Sequence, residues 1–155
     1  MVVECTDRRG ETTTNYGFEK SMPNLNVYLV EGYSIEQKAD LLRRMTDVVV
    51  TTLGAPKASI RIFLIELPKA HICVGGVTLL AEEQAGHGEA LGGPTVHAFL
   101  LAGRSDAQKK EMIAGMTEVI EETLKIPAGP VRIMFFDIAS TDFGMQGVTA
   151  KSLGR

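Results

Sequence analysis

Along residues 24–30 apolar and other positions alternate, with Leu25, Val27 and Leu29 on one side, and residues 95–101 repeat the pattern with Val96, Ala98 and Leu100. A period of two predicts a half-buried strand. After each run comes a glycine, Gly32 or Gly103, and the pattern changes to a helical period. The first stripe is Leu41, Leu42, Met45, Val48, Val49 and Leu53; the second is Met112, Ile113, Met116, Val119, Ile120 and Leu124. Each stripe opens on a serine with a glutamine three residues later, Ser34 with Gln37 and Ser105 with Gln108. That spacing lets a hydroxyl and a side-chain amide satisfy orphan backbone N–H groups at a helix start. Pro56 and Pro127 stop the helices from continuing. A second apolar run follows each, at 59–67 and 131–138. Both are rich in β-branched and aromatic residues and apolar on both faces, which predicts a buried strand.

The two passages are one pattern written twice. A constant offset carries Pro23 onto Pro94, GYSIEQK onto GRSDAQK, MTDVVVTTL onto MTEVIEETL and IRIFLIEL onto VRIMFFDI. GGVT and QGVT close the copies without a slip in spacing, so the chain is an internal duplication. Each copy reads as a β-α-β unit, and so short a connection implies parallel strands. The predicted fold class is therefore α/β (α+β): two tandem β-α-β units forming a four-stranded sheet with two helices on one face. The other sheet face is left bare and apolar, and it needs a partner. The expected segments are a polar leader at 1–22, a first unit at 23–78, a Gly- and Glu-rich linker at 79–92, and a second unit at 93–155.

Composition narrows the function classes. The 155 residues are 45% hydrophobic and 23% charged, with a net charge of −3. That is ordinary globular composition, with no electrostatic footprint for nucleic acid. Cys5 and Cys73 suit neither a disulfide framework nor a metal site. No apolar run approaches the ~20 residues that span a bilayer, so no membrane partner is expected. The leader lacks a signal-peptide core, is polar and aperiodic, and is expected to be disordered or loosely docked, in a cytoplasmic protein. The glycines of Val74-Gly75-Gly76 belong to no phosphate-binding motif.

MPNLNVYLVEGYSIEQK, ASIRIFLIEL and PKAHICVGG, with their partners GPTVHAFLLAGRSDAQK, PVRIMFFDI and STDFGMQG, resemble the tautomerase superfamily. The likeness is to 4-oxalocrotonate tautomerase in its fused, double-length form, and it covers Pro23 to about Thr149. It implies the tautomerase/MIF-like fold, a homotrimer, and an isomerase that uses neither metal nor organic cofactor. It also implies an amino-terminal proline acting as general base on a small carboxylate substrate, an enol or keto acid. A proline nitrogen accepts a proton only as a free amine; within a chain it is an amide. A free α-amino group titrates near ~8, and burial beside arginines pushes that value down toward a useful working range.

Carried over residue by residue, the resemblance names Pro23 as the base, Arg104 and Phe143 as the arginine and aromatic facing it, and Arg61 or Arg132 as a further strand arginine. The pseudo-equivalent site has Pro94, which is internal, with Tyr33 and Ile72 at the arginine and aromatic positions. Base, arginine and aromatic are thus absent together from one site and present together at the other. Arg61 and Arg132 lie in apolar strands, where an unpaired charge is costly. Glu66 or Asp137 are structural partners open to them.

Two rivals remain. A hydratase-dehalogenase or decarboxylase of the same superfamily would carry an acidic residue two positions past the aromatic and a second arginine three before Arg104. Those positions are Met145 and Leu101, although Asp142 is nearby. The other rival is a non-catalytic trimeric assembly protein, in which the attached leader caps Pro23. The placement of Met22-Pro23 favours translation from Met22; a leader that is cleaved, or that silences the site, is the other explanation.

Overall fold

The structure, a computed structural model, describes residues 4–6, 12–14, 22–87, 92–127 and 129–155. In chain order its elements are β1 (Glu4–Thr6), β2 (Thr12–Thr14), β3 (Asn24–Val30), α1 (Ile35–Leu53), β4 (Arg61–Leu67), β5 (Cys73–Val74), β6 (Val77–Thr78), α2 (Leu79–Gln84), β7 (Thr95–Leu101), α3 (Asp106–Leu124), β8 (Arg132–Ile138), β9 (Gly144–Met145) and β10 (Val148–Thr149). Within each copy the strands pair in parallel, β3 with β4 and β7 with β8. The copies join through antiparallel β3 and β7, with Asn24 opposite Phe99 and Tyr28 opposite Thr95. The sheet order is β4-β3-β7-β8, the four-stranded arrangement the duplication predicts.

Both helices start as the sequence dictates. The Ser34 and Ser105 hydroxyls accept the backbone N–H of Gln37 and Gln108, and each glutamine side chain takes the serine N–H in return. The helices lie on one sheet face. There Leu25, Val27 and Leu29 meet Val96, Ala98 and Leu100 under Leu41, Met45, Val49, Leu53, Met112, Met116, Val119, Ile120 and Leu124 in one core. Leu42 and Val48 are only partly buried and Ile113 is 41% exposed, so the stripes are narrower than expected. Thr123 is buried instead, its hydroxyl and carbonyl accepting from Arg44 and Gln37 of α1. The helices approach closely at Gly115, where a Cβ would stand 3.0 Å from the Val48 side chain.

Two expectations are corrected. The second strand of each copy is not buried on both faces, because β4 and β8 are the sheet edges and only alternate residues reach the core. They begin at Arg61 and Arg132; in copy one, Lys57–Ser59 forms a tight turn with the Ser59 hydroxyl on the Pro56 carbonyl at 2.7 Å. The Glu66 and Asp137 carboxylates serve neither strand arginine. They accept from the helix lysines Lys38 (2.9 Å) and Lys109 (2.7 Å), an ion pair repeated in both copies. The linker carries α2, capped by Thr78, whose hydroxyl accepts the Ala81 N–H; LLAEEQ consists of good helix formers. The leader contains the β1–β2 pairing, Glu4 opposite Thr14. Residues 88–91 of the linker and the rest of the leader before Met22 lie outside the described residues.

Each copy ends in a hairpin, β5–β6 or β9–β10. Their turns are Gly75-Gly76 (φ 61°, 89°) and Gln146-Gly147 (φ 54°, 78°). Two successive positive φ values mark a turn whose twist matches a hairpin. The glycines are there for backbone conformation.

The bare sheet face is built from Asn26, Tyr28, Phe63, His97, Phe99, Met134 and Phe136. Phe99 and Phe136 stack at 4.9 Å, and His97 sits edge-on to Tyr28 at 4.9 Å. Phe63, Met134 and Phe136 are each more than two-fifths exposed. An exposed apolar face of this breadth marks an interaction surface.

α1 ends on Gly54 in the left-handed region (φ 62°), whereas α3 ends there on Lys125 (φ 54°). A side chain in that region costs about 1 kcal/mol relative to glycine. Lys125→Gly is therefore expected to stabilise the protein by about 1 kcal/mol, read as a higher thermal midpoint. A lower midpoint would show that the cap is unstrained.

Candidate active site at the Pro23 end of the sheet

Antiparallel pairing of β3 with β7 sets the start of each copy beside the exit of the other's first strand. Pro23 immediately precedes β3, so it faces the end of β7, where the chain passes through Leu101, Ala102 and Gly103 to Arg104. α1 returns to the same end. The Arg104 guanidinium donates to the Leu53 carbonyl in the last turn of α1 at 3.0 Å, a favourable place for a cation at a helix C-terminus.

Phe143 reaches this end from the loop after β8. Its carbonyl accepts the Ala150 N–H at 2.8 Å, as the Ile72 carbonyl accepts from Leu79 in copy one. Its side chain packs against a small second core of Met22, Leu101 and Ala150, together with Met145. Pro23 is fully buried, and its carbonyl accepts the Arg61 N–H at 3.0 Å. The structure thus brings Pro23, Arg104, Phe143 and the backbone of Arg61 to one end of the sheet.

Arg132 stands elsewhere. Its N–H bonds the Pro94 carbonyl at 3.0 Å, repeating the Arg61–Pro23 arrangement at the other end. Its register partner Thr95 lies opposite Tyr28, four residues along β3 from Asn24. That is about 13 Å along the strand and about 10 Å across two strand spacings, beyond the reach of an arginine side chain. Arg132 can meet a Pro23 only from a neighbouring copy. Among the described residues neither Arg61 nor Arg132 has an ion-pair partner.

The Pro94 end differs in content. Gly93 precedes Pro94, and a Cβ at Gly93 would lie 2.3 Å from the Pro130 carbonyl oxygen, so only glycine fits. A cavity of about 650 Å³ opens there, with Gly32, Tyr33, Gly93, Leu124 and Pro130 in its wall. At the Pro23 end the preceding residue is Met22, only 6% exposed, and its side chain fills the equivalent space. Beside it lies a smaller cavity of about 350 Å³ lined by Leu101, Ala102, Gly103, Ser140 and Arg155.

Sequence reasoning missed two participants. It marked Met22 as a start site and gave its side chain no place. It gave Arg155 no role. The Arg155 guanidinium lies 3.1 Å from the Met22 sulfur, and burial pulls it below the ordinary arginine value. The repeat offers no signal for it, since the offset sets Arg155 against the uncharged Gln84. Asp142 is exposed and accepts from the neighbouring Thr141 hydroxyl at 2.8 Å.

What the arrangement can do follows from its parts. The nitrogen of residue 23, if uncapped, would be a secondary amine in an apolar enclosure with guanidinium groups nearby. Burial and neighbouring positive charge would each disfavour the protonated form of such an amine.

Comparison with known proteins gives a consistent result. The family described as "Tautomerase enzyme" matches this chain twice, over residues 23–81 and 94–152. A probable tautomerase of Ralstonia nicotianae is 43% identical over 63 residues, which is 41% of this chain and 90% of that protein. The 2-hydroxymuconate tautomerase of Comamonas testosteroni is 37% identical over 62 residues, 40% of this chain and 98% of that protein. Among solved structures, a wild-type fused 4-OT described as an asymmetric trimer superposes with a TM-score of 0.74 at 45% identity, over 85% of this chain and 99% of its own. A native fused 4-OT superposes with a TM-score of 0.76 at 40% identity and the same coverage. Macrophage migration inhibitory factor of Toxoplasma gondii, at 13% identity and a TM-score of 0.65 over 81% of this chain and 98% of its own, shares the fold alone.

Proposed function

Because this chain belongs to the tautomerase family, we propose that the form beginning at Pro23 is a cofactor-independent isomerase of the 4-oxalocrotonate tautomerase kind. It moves a proton within a small 2-hydroxydienoate or 2-oxo acid, in enol–keto exchange. The observation that carries this reading is the asymmetry of the two ends. Pro23 has Arg104 and Phe143 at its end, whereas Pro94, an amide in any form of the chain, has Tyr33 at its own.

In the proposed mechanism the Pro23 amine takes a proton from one carbon of the substrate and returns it to another. Arg104 and a strand arginine hold the carboxylate and the 2-oxygen through charge-assisted bonds. Positive charge beside the 2-oxygen stabilises the enolate that forms when the proton leaves. Phe143 and Leu101 wall the site and exclude water. With Met22 attached, the nitrogen of residue 23 is an amide and has no basicity. The full-length chain is then silent, and release of Pro23 switches the site on.

The trimeric relatives support an assembled state, with the trimer as the proposed one, and the bare aromatic sheet face is the surface proposed for it. Sedimentation of the chain is expected to give three copies of 16.8 kDa. Phe136→Lys on that face should shift the protein to single chains, and an unchanged mass would remove the face from the interface.

The enzymatic reading is tested with protein made from Met22, its initiator removed and its mass verified. Ketonisation of 2-hydroxymuconate or phenylenolpyruvate is expected. Pro23→Ala should lower kcat by about 10²-fold or more, the scale of a lost general base. Arg104→Ala should lower kcat/KM by about tenfold or more, while Tyr33→Ala at the other end should change it less than about twofold. Comparing Arg61→Ala with Arg132→Ala identifies the strand arginine by a similar loss. Unchanged turnover in Pro23→Ala ends the proposal. Chloride release from 3-haloacrylates in place of ketonisation would favour the hydratase-dehalogenase.

A further inference from the structure

The centre of the bare sheet face carries a polar pair, Asn26 and His97, among apolar neighbours. The offset that relates the two copies carries Asn26 onto His97, and the β3–β7 ladder sets the same two residues directly opposite one another. The pseudo-twofold axis of the chain therefore runs between them, perpendicular to the sheet. Phe63 lies beside Asn26 and Met134 beside His97, so the central row reads Phe63, Asn26, His97, Met134. Tyr28 and Phe136 stand edge-on to the imidazole at 4.9 and 5.4 Å, with Phe99 at 6.5 Å. By alternation along the strands, Arg61 and Arg132 are the charged residues of this face. They lie at its two ends, beside Asn24 and Thr95, two residues from the central row. No carboxylate shares the face.

Covering this row with other copies takes an amide and an imidazole out of water, which is costly unless each finds a partner. Among the described residues neither side chain has a hydrogen-bond partner within the chain. The trimer brings partners to them. Where three copies use both halves of the face alike, their pseudo-twofold axes cross the three-fold axis at one point. Packed sheets stand about 10 Å apart, so the side chains beside those axes meet in the middle. Three imidazoles and three amides converge there. A copy turned end for end keeps its His97 beside the axis, and so at the centre. Three imidazoles with no carboxylate among them are a ligand set for zinc and similar divalent ions.

We propose that the trimer holds one divalent transition-metal ion of the zinc kind on its three-fold axis, bound by His97 of each copy. The fourth position falls to water or to an Asn26 oxygen. Among the described residues no group of three metal-binding side chains lies within one copy, so the site is incomplete without its partners. The inference rests on the trimeric assembly proposed above. The ion is structural: it fastens three chains at their centre. Asn26 is three residues along the chain from Pro23, about 10 Å in an extended strand, and the proton transfer does not use the metal.

The test uses the full-length chain, stripped with a chelator and titrated with zinc while sedimentation follows its mass. One zinc per three chains is expected, together with a thermal midpoint that rises as zinc is added. X-ray absorption of the zinc complex should show imidazole nitrogen and no sulfur, which sets Cys5 and Cys73 aside. His97→Asn makes the centre all amide and should abolish this binding. His71→Gln and His87→Gln, both on exposed residues, should keep it. Phe136→Lys should lose the metal together with the trimer. A trimer that takes up no zinc at that ratio overturns this proposal alone, as does zinc held by sulfur or retained by His97→Asn. Single chains in the presence of zinc would overturn both this proposal and the assembly on which it rests.

Discussion

The antiparallel ladder between β3 and β7 is the constraint from which the rest follows. It joins two parallel β-α-β units into one sheet and sets them head to tail. The entrance of each unit then lies against the exit of the other's first strand. A side chain ten residues after a proline in one copy is carried to the proline of the opposite copy. Arg104 therefore stands with Pro23 and Tyr33 with Pro94, although each follows the other proline in sequence. A parallel β3–β7 pairing would have put both prolines at one end of the sheet and Arg104 and Tyr33 together at the other.

Backbone symmetry makes the two ends alike; the residue before each proline makes them differ. Gly93 is held against the Pro130 carbonyl with no space for a side chain, and the chain runs on through that end. Copy one has Ser59 where Pro130 stands, and there Met22 is accommodated and buried against Leu101, Ala150 and Phe143. One end is a permanent amide beside a roomy cavity. The other is an amide only while Met22 remains, and its enclosure fits one thioether side chain.

Much of this was legible in the sequence, because duplication makes every signal appear twice. The capping boxes, the core-facing strand residues and the sheet order all follow from pattern and period, whereas setting Arg104 and Phe143 opposite Pro23 came from the resemblance. What was not legible depends on edges and local backbone. IRIFLIEL looks like a doubly buried strand because both of its faces are apolar, although only one of them packs under the helices. Gly75-Gly76 and Gln146-Gly147 were visible as glycines, but their positive φ pairs were not recognised as hairpin turns. Glu66 and Asp137 seemed open to the strand arginines, yet the helix lysines lie over the sheet on the face their side chains reach. Arg155 left no trace, since its position depends on one left-handed glycine reversing the chain after a short turn.

The joint loss of arginine and aromatic at the Pro94 end has a physical reason. A guanidinium drawn partly out of water costs free energy unless it meets an anion or a developing charge. Beside a nitrogen that can never be a base, no proton leaves a substrate and no enolate forms, so an arginine there has a desolvation cost and nothing to offset it. Tyrosine at position 33 instead packs against the core. At the Pro23 end Arg104 donates to the Leu53 carbonyl, where the C-terminal dipole of α1 favours a cation even in the absence of a ligand.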